Sequence, residues 1–235
     1  MKNLLYTLLL IGSVSFGQQT PESCLEKAKP YLAKDACNGT GIAWVKGALK
    51  LDPDNAEAEQ LLKKCADSEI NEAMATLRQD PDNITAISVL HRYEEKYPSE
   101  ELYYLLAKRY SLETGNHVSK KYINKALSYN PNNLDYRYIR FKCNFLDDSR
   151  VDDLQEAIND LNFLIENGFE PARMYANLSI AQNEIGNQLK DKDSKLKYYK
   201  ESIISAEKAI SLNPEFKDKL NINLARRDLA KLEQS

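Results

Sequence analysis

Ala126-Leu127-Ser128-Tyr129-Asn130-Pro131-Asn132-Asn133 decides the fold, because its outline recurs as Ala48-Leu49-Lys50-Leu51-Asp52-Pro53-Asp54-Asn55 and as Ala209-Ile210-Ser211-Leu212-Asn213-Pro214. Each time an alanine is followed five residues later by proline. Proline lacks a backbone donor and pushes the residue before it out of helical geometry, so each copy predicts a last helical turn with a forced stop. A helix end that recurs at long intervals marks a helical array, in which stacked pairs display a surface. Apolar residues elsewhere recur at three to four positions, and no stretch alternates with a period of two. The expected fold class is therefore all-α, with about ten or eleven helices in antiparallel pairs.

The 235 residues, 43% apolar and 29% charged, can bury a sizeable core without a metal or cofactor. Eight glycines and eight prolines are too few for a fibrous or disordered chain. A formal charge of -3 gives no electrostatic reason to expect nucleic acid or an anionic membrane as partner.

Residues 1–17 read as an export signal: Lys2 precedes an apolar run from Leu4 to Ile11, and Ser15-Phe16-Gly17 offers small residues where a signal peptidase reads. The run is shorter than the roughly 20 residues that span a bilayer, so no transmembrane segment is expected after cleavage before Gln18. Pro21-Glu22-Ser23 ahead of Cys24 does not fit a lipobox. The leader junction resembles those of Gram-negative bacteria, which makes the periplasm the expected destination and secretion the alternative.

Export puts the cysteines in a compartment that permits disulfides. No C-x-x-C pair is present and His91 and His117 lie far from the cysteines in sequence, so neither zinc nor a thioredoxin-like motif is expected. The Asp52-Pro53-Asp54 turn should fold helix 41–51 back against helix 55–66, which brings Cys65 beside the turn that holds Cys37. Cys37 and Cys65 are thus the expected disulfide. Cys24, at the far end of its own helix, would lie about 15 Å away at 1.5 Å per residue, beyond bridging range.

In chain order, helices are expected over 22–34, with Pro30 inside, and over 41–51, with Asn38-Gly39-Thr40-Gly41 as the turn between them. Asp54 or Asn55 can cap the next helix. Two continuations fit its spacing beyond Cys65: a new helix capped by Ser68, or one long helix to Arg78. A helix over 84–97 follows, and Tyr97-Pro98-Ser99-Glu100 ends it and caps the next.

From there the pattern is clearest. Tyr103, Leu106, Ala107 and Tyr110 share one helix face, Gly115-Asn116 turns the chain, and Ser119, Ile123 and Ala126 face back. A second copy runs Tyr175-Ala176-Asn177-Leu178-Ser179-Ile180-Ala181 to Ile185-Gly186-Asn187, then Ser202, Ala206 and Ala209. Between them lies a looser copy with Tyr136, Ile139 and Cys143 on one helix and Leu154, Ala157, Leu161 and Leu164 on the next, where Arg140 stands in place of a small residue. The polar stretch Gln188–Lys195 lengthens either both helices of the last copy or the loop between them.

These motifs resemble the tetratricopeptide repeat (TPR), whose helices carry W-x2-L-G-x2-Y and A-x3-F-x2-A before proline, over a period of 34 residues. Large side chains fill the gap where small ones, here Ala107 and Ala126, let helices approach. Only the step from Pro98 to Pro131, 33 residues, is close to that length. The resemblance covers residues 99–214 well and 22–98 more loosely. It divides the chain into a leader (1–17), irregular helical repeats (18–98), TPR-like repeats (99–214) and a capping helix (215–235).

The resemblance implies a right-handed superhelical α-solenoid, whose first helices line a groove that holds a peptide or partner protein. Groove positions carried over from the family are Glu101, Tyr104 and Lys108; Arg137 and Phe141; and Arg173, Asn177 and Asn183. Taken singly, each reads first as an ordinary solvated helix position. Phe141 suits an exposed anchor and, as well, packing between repeats. No carboxylate clamp is visible.

No cofactor and no catalysis are expected. The chain has no G-x-S-x-G, G-x-x-x-x-G-K or H-E-x-x-H. The pairs Asp147-Asp148 and Asp152-Asp153 suit a helix N-terminus better than acid–base chemistry. The expected function is a non-enzymatic protein-interaction scaffold or adaptor of the cell envelope; the alternative is a structural spacer without a groove ligand.

Overall fold

The computed structural model describes residues 19–111, 116–145 and 149–234, with nothing said of the Asn116 side chain. The leader, its cleavage junction, Gly115 and the Asp147-Asp148 pair lie outside the described residues. The described residues form helices without a strand. They divide into two compact units, one of residues up to 76 with 84–97, the other of 77–83 with 98–234.

In the first unit, α1 (Pro21–Leu32) starts at a capping box in which Thr20 and Ser23 satisfy each other's backbone, with Pro21 at the first helical position. Pro30 lies in the last turn, and the helix ends two residues after it, short of the expected Lys34. α2 (Gly39–Leu51) begins earlier than expected: Asn38 Oδ1 accepts from the backbone N–H groups of Thr40 (3.1 Å) and Gly41 (3.2 Å), so the expected turn is the first helical turn. Gly41 is needed there, since a Cβ would fall 2.6 Å from Leu32 Cδ2. Cys24, Leu25, Ala28, Val45, Ala48 and Ala58 form the core of this part.

α3 (Ala56–Gln79) runs through Ala66-Asp67-Ser68 without a break. No Pro or Gly interrupts it, Lys63 and Asp67 pair at 2.6 Å one turn apart, and Ala66, Ile70, Ala73, Met74 and Leu77 keep one buried stripe. Asn55 Oδ1 caps it through Ala58 N (3.0 Å). α4 (Ile84–Tyr93) is shorter than the expected 84–97. It lies antiparallel to α3: Tyr93 Oη donates to Glu69 at 2.6 Å, and further on Lys96 Nζ meets Glu59 at 3.0 Å.

Cys37 and Cys65 are disulfide-bonded, with Cα atoms 4.9 Å apart and a sequence separation of 28. A loop of that length is worth roughly 3 to 4 kcal/mol in the chain-entropy account. Cys24 and Cys143 are free and buried.

The second unit is three successive hairpins and a tail. α5 (Glu100–Tyr110) pairs with α6 (Asn116–Tyr129), α7 (Leu134–Asn144) with α8 (Val151–Glu166), and α9 (Pro171–Gln188) with α10 (Lys192–Leu212). Ring contacts fix the first pair as antiparallel: Tyr110 meets Tyr122 at 6.0 Å, and Tyr103 meets Tyr129 at 6.3 Å. Ala107 and Ala126 are fully buried, and Ser119 Oγ donates to Ala107 O at 2.8 Å.

Gly168, at φ +74°, and Pro171, at the first position of α9, make the α8–α9 turn. The polar stretch 188–195 lengthens both helices, because Asp191 caps α10 through Ser194 N (2.8 Å) and leaves only a short connection. At Gly186 a Cβ would meet the Tyr199 ring at 2.7 Å, so this glycine lets α9 and α10 approach. The tail departs from a single capping helix: it breaks into α11 (Phe216–Lys219) and α12 (Ile222–Gln234), with Asn221 Oδ1 accepting from Leu224 N at 3.2 Å. The described residues thus hold twelve helices rather than ten or eleven, and none is long and apolar enough to cross a membrane.

Candidate functional site

The first helices of the second unit, α5, α7 and α9, are linked in series by their tyrosines. Tyr104 of α5 lies 5.0 Å from the Tyr136 ring of α7, and Arg173 of α9 sits 5.9 Å over Tyr138 of α7. Tyr136 Oη donates to Glu100 at 2.9 Å, and Tyr138 also contacts Phe169 at 5.3 Å. Burial raises the Tyr104 phenol, with Asp135 adding to it; burial and then Glu100 raise that of Tyr136. Both phenols are neutral donors at ordinary pH.

On this face Glu101 is exposed and paired with Arg78, and Lys108 is exposed. Tyr104 and Asn177 are half-buried, and Arg173 is exposed with Glu170 at 3.1 Å. Asn183 is half-buried and lines a separate cleft beside α12.

Two expected groove residues are corrected. Phe141 is 3% exposed and belongs to the core of α7, α8 and α9 with Leu154, Leu161, Met174 and Leu178, so it is packing and not an exposed anchor. Arg137 points the other way, toward the second helices. Its Nη1 donates to Asp160 of α8 at 2.9 Å, its Nε donates to Pro131 O at 2.9 Å, and its guanidinium lies 4.6 Å from the Phe163 ring.

Arg140 completes the arrangement. It grips the fully buried Asp160 with two prongs, Nε to Oδ2 at 2.8 Å and Nη2 to Oδ1 at 2.7 Å, and reaches Glu156 at 3.3 Å. The cluster extends through Lys120, which is 2.9 Å from both Asp153 and Glu156. The Asp160 hydrogen bonds raise the Arg140 pKa above its ordinary value. Lys120 holds the Asp153 carboxyl below the usual range. For Glu156, burial pushes up, but hydrogen bonds from Lys120 and Asn144 with the charge of Arg140 outweigh it, leaving the carboxyl lowered. A hollow of about 310 Å³ between α6, α7 and α8 is bordered by Arg137, Arg140 and Glu156. Its charges are matched internally, so it is a structural lock rather than an anion site.

With Arg137 paired to Asp160 and Phe141 in the core, Asp135, Tyr138 and Lys142 are left for the first-helix face, although the half-buried Tyr138 ring also lies 6.0 Å from that of Phe141 and packs on the same core. Asp135 and Lys142 are exposed, and Lys142 Nζ lies 5.9 Å from the Tyr138 ring. No local sequence signal marks them: only the structure shows that Asp160 of α8 takes Arg137 and Arg140 to one side of α7 and leaves 135, 138 and 142 elsewhere.

The fold is tetratricopeptide-like in its paired antiparallel helices, the alanines at their close approaches and the proline-marked ends. No protein-family model matches the chain, and no curated protein matches it. Among solved structures it is similar to one titled as MamA protein, at 20% identity and a TM-score of 0.40, over 82% of this chain and 95% of that one. It is also similar to a tetratricopeptide repeat protein from Parabacteroides merdae ATCC 43184, at 15% identity and a TM-score of 0.31, over 92% of this chain and 99% of that one.

Proposed function

We propose that this chain is a non-enzymatic scaffold of the cell envelope that holds a segment of a partner protein along the first helices α5, α7 and α9. The observation that carries the reading is the run of half-buried tyrosines, Tyr104 and Tyr138, flanked by Lys108, Lys142, Arg173 and Asn177. Half-buried tyrosines give contact area at low entropic cost, and amide and cationic side chains bond backbone carbonyls and carboxylates. The leader-like residues 1–17 and the Cys37–Cys65 bridge support export to the periplasm. Among the described residues the cysteines are bridged or buried and the buried Asp160 is ion-paired to Arg137 and Arg140, which supports a role in binding.

The test is cross-linking and affinity capture from the native envelope with Tyr104→Ala/Tyr138→Ala. Capture should fall at least tenfold while helicity is kept, as expected when aromatic anchors carry binding. An unchanged set of captured proteins would overturn the face. A natural N-terminus at Gln18 and a bridged Cys37–Cys65 peptide in envelope material would uphold export, and free thiols there would count against it.

A further inference from the structure

Apart from the first-helix face, the second unit has a cleft of about 300 Å³ between α9, α10 and α12. It arises because α12 packs loosely: Ala225 is its only residue described as buried, and α12 leaves part of α9 uncovered. The lining is mixed: its aliphatic side includes Ile180, Ile203 and Leu224, of which Ile180 is 46% and Leu224 39% exposed. Its floor is the buried pair Ser179 and Ser202, whose hydroxyls are 3.3 Å apart.

The charged residues lining the cleft are Glu184 and Asp228, both acidic, and no Lys or Arg lines it. Glu184 accepts hydrogen bonds from the amides of Asn187 (3.4 Å) and Gln188 (3.0 Å). Asp228 is met along its own helix by Arg227 at 3.2 Å and Lys231 at 3.8 Å. Both carboxylates act on Tyr199, whose phenol is raised first by burial and then by Asp228 and Glu184; its hydroxyl donates to Asn187 at 2.9 Å.

We infer that this cleft is an anchor subsite for a peptide segment in which one aliphatic side chain is flanked by lysine or arginine. The aliphatic group enters between Ile180, Ile203 and Leu224, and the flanking cations meet Glu184 and Asp228. Asn183 and Asn187 offer amides to the peptide backbone. The volume is at the low end of ligand pockets, about 300 to 1,000 Å³, which suits one or two side chains rather than a docked helix. An acidic segment or a free C-terminal carboxylate is disfavoured, because it would face two carboxylates with no lining cation.

The proposal rests on the scaffold reading, and its test separates the two. Fluorescence anisotropy of the full chain is measured with labelled Gly-Ser-Lys-Leu-Lys-Ser-Gly, with the same peptide carrying Glu for Lys, and with Ser for Leu. The Lys-Leu-Lys peptide should bind in the range of about 0.1 to 1 mM and at least about tenfold tighter than either control. Glu184→Gln/Asp228→Asn should bring the three peptides within about threefold of one another. Ile180→Lys, at an exposed position that tolerates the change, should abolish the preference as well.

Equal binding of the acidic peptide, or a Lys-Leu-Lys dissociation constant weaker than about 1 mM, would overturn the subsite. Tyr104→Ala/Tyr138→Ala should leave heptapeptide affinity unchanged. Partner capture that depends on those tyrosines, with no heptapeptide preference, sinks the cleft alone. A heptapeptide preference with tyrosine-independent capture upholds the cleft and sinks the first-helix face.

Discussion

Two neighbouring hairpins of the second unit reach the same shape by opposite chemistry. α5 and α6 close on Ala107 and Ala126, both without solvent exposure, so backbones approach and Tyr103, Leu106 and Tyr122 fill the flanks. α7 and α8 place Arg140 where the first hairpin has a small residue, and set a fully buried Asp160 opposite it with Arg137 as a second donor. The first closure draws on apolar burial and dispersion, which are non-directional. The second depends on three side chains being present together, since desolvating a carboxylate is tolerable only with its partners in place. A repeat position thus tolerates an arginine when the next helix supplies its counter-charge.

The largest effect that tests this contrast is at Asp160. Asp160→Ala leaves Arg137 and Arg140 side by side without their buried carboxylate, with only Glu156 still within reach of Arg140 at 3.3 Å, and should destabilise by about 3 to 5 kcal/mol, read as a lower urea midpoint. Replacing Arg137, Arg140 and Asp160 together by Met, Met and Leu should recover most of that loss, because well-packed apolar groups often substitute for a buried ionic cluster without penalty. If Asp160→Ala melts like the parent, the pair is ornamental and the hairpins do not differ.

The alanine closure breaks in another way. Ala107→Trp or Ala126→Trp overpacks a site with no free volume and should cost roughly 1 to 3 kcal/mol or more. That loss should be the same at low and high salt, as no charge is involved. Wild-type melting would mean that Ala107 and Ala126 do not mark the close approach.

The alanine closure was legible in the sequence because its signal is local: small residues at fixed offsets from a proline-marked end, on helices with a period of three to four. The charge closure was not. Arg140 stood out as an irregularity, but its partner lies twenty positions on in another helix, and nothing local says that Asp160 is inside. For the same reason the family offsets put Arg137 in the groove and left Phe141 open between anchor and packing; the ion pairs to Asp160 and the core around Leu161 and Met174 decide both. Tyr104 and Arg173 stayed on the first-helix side, where their hairpins follow the motif. The broken tail at Leu220-Asn221 shows a similar limit: apolar spacing runs through it, and only the Asn221 side chain capping a new turn stops the helix.

The smallest effect is the pH dependence of the charge closure, and its sign follows from the carboxylates beside it. Asp153 is lowered by Lys120, and Glu156 is lowered on balance by Lys120, Asn144 and Arg140 despite its burial. A carboxylate lowered on folding binds fewer protons in the native state than in the unfolded chain. Its contribution is therefore complete above the ordinary carboxylate range, about 3.9 for Asp and 4.3 for Glu, and is lost as pH falls through the folded values below that. Stability should be flat from about pH 7 to 5.5 and decline on further acidification, with the decline reduced in Lys120→Met. The same titration on Ala107→Trp should keep the parent's acid slope, because the alanine closure binds no proton. A parent and Lys120→Met with identical acid midpoints, measured by circular dichroism, would show that the Lys120 cluster adds nothing to the lock between α7 and α8.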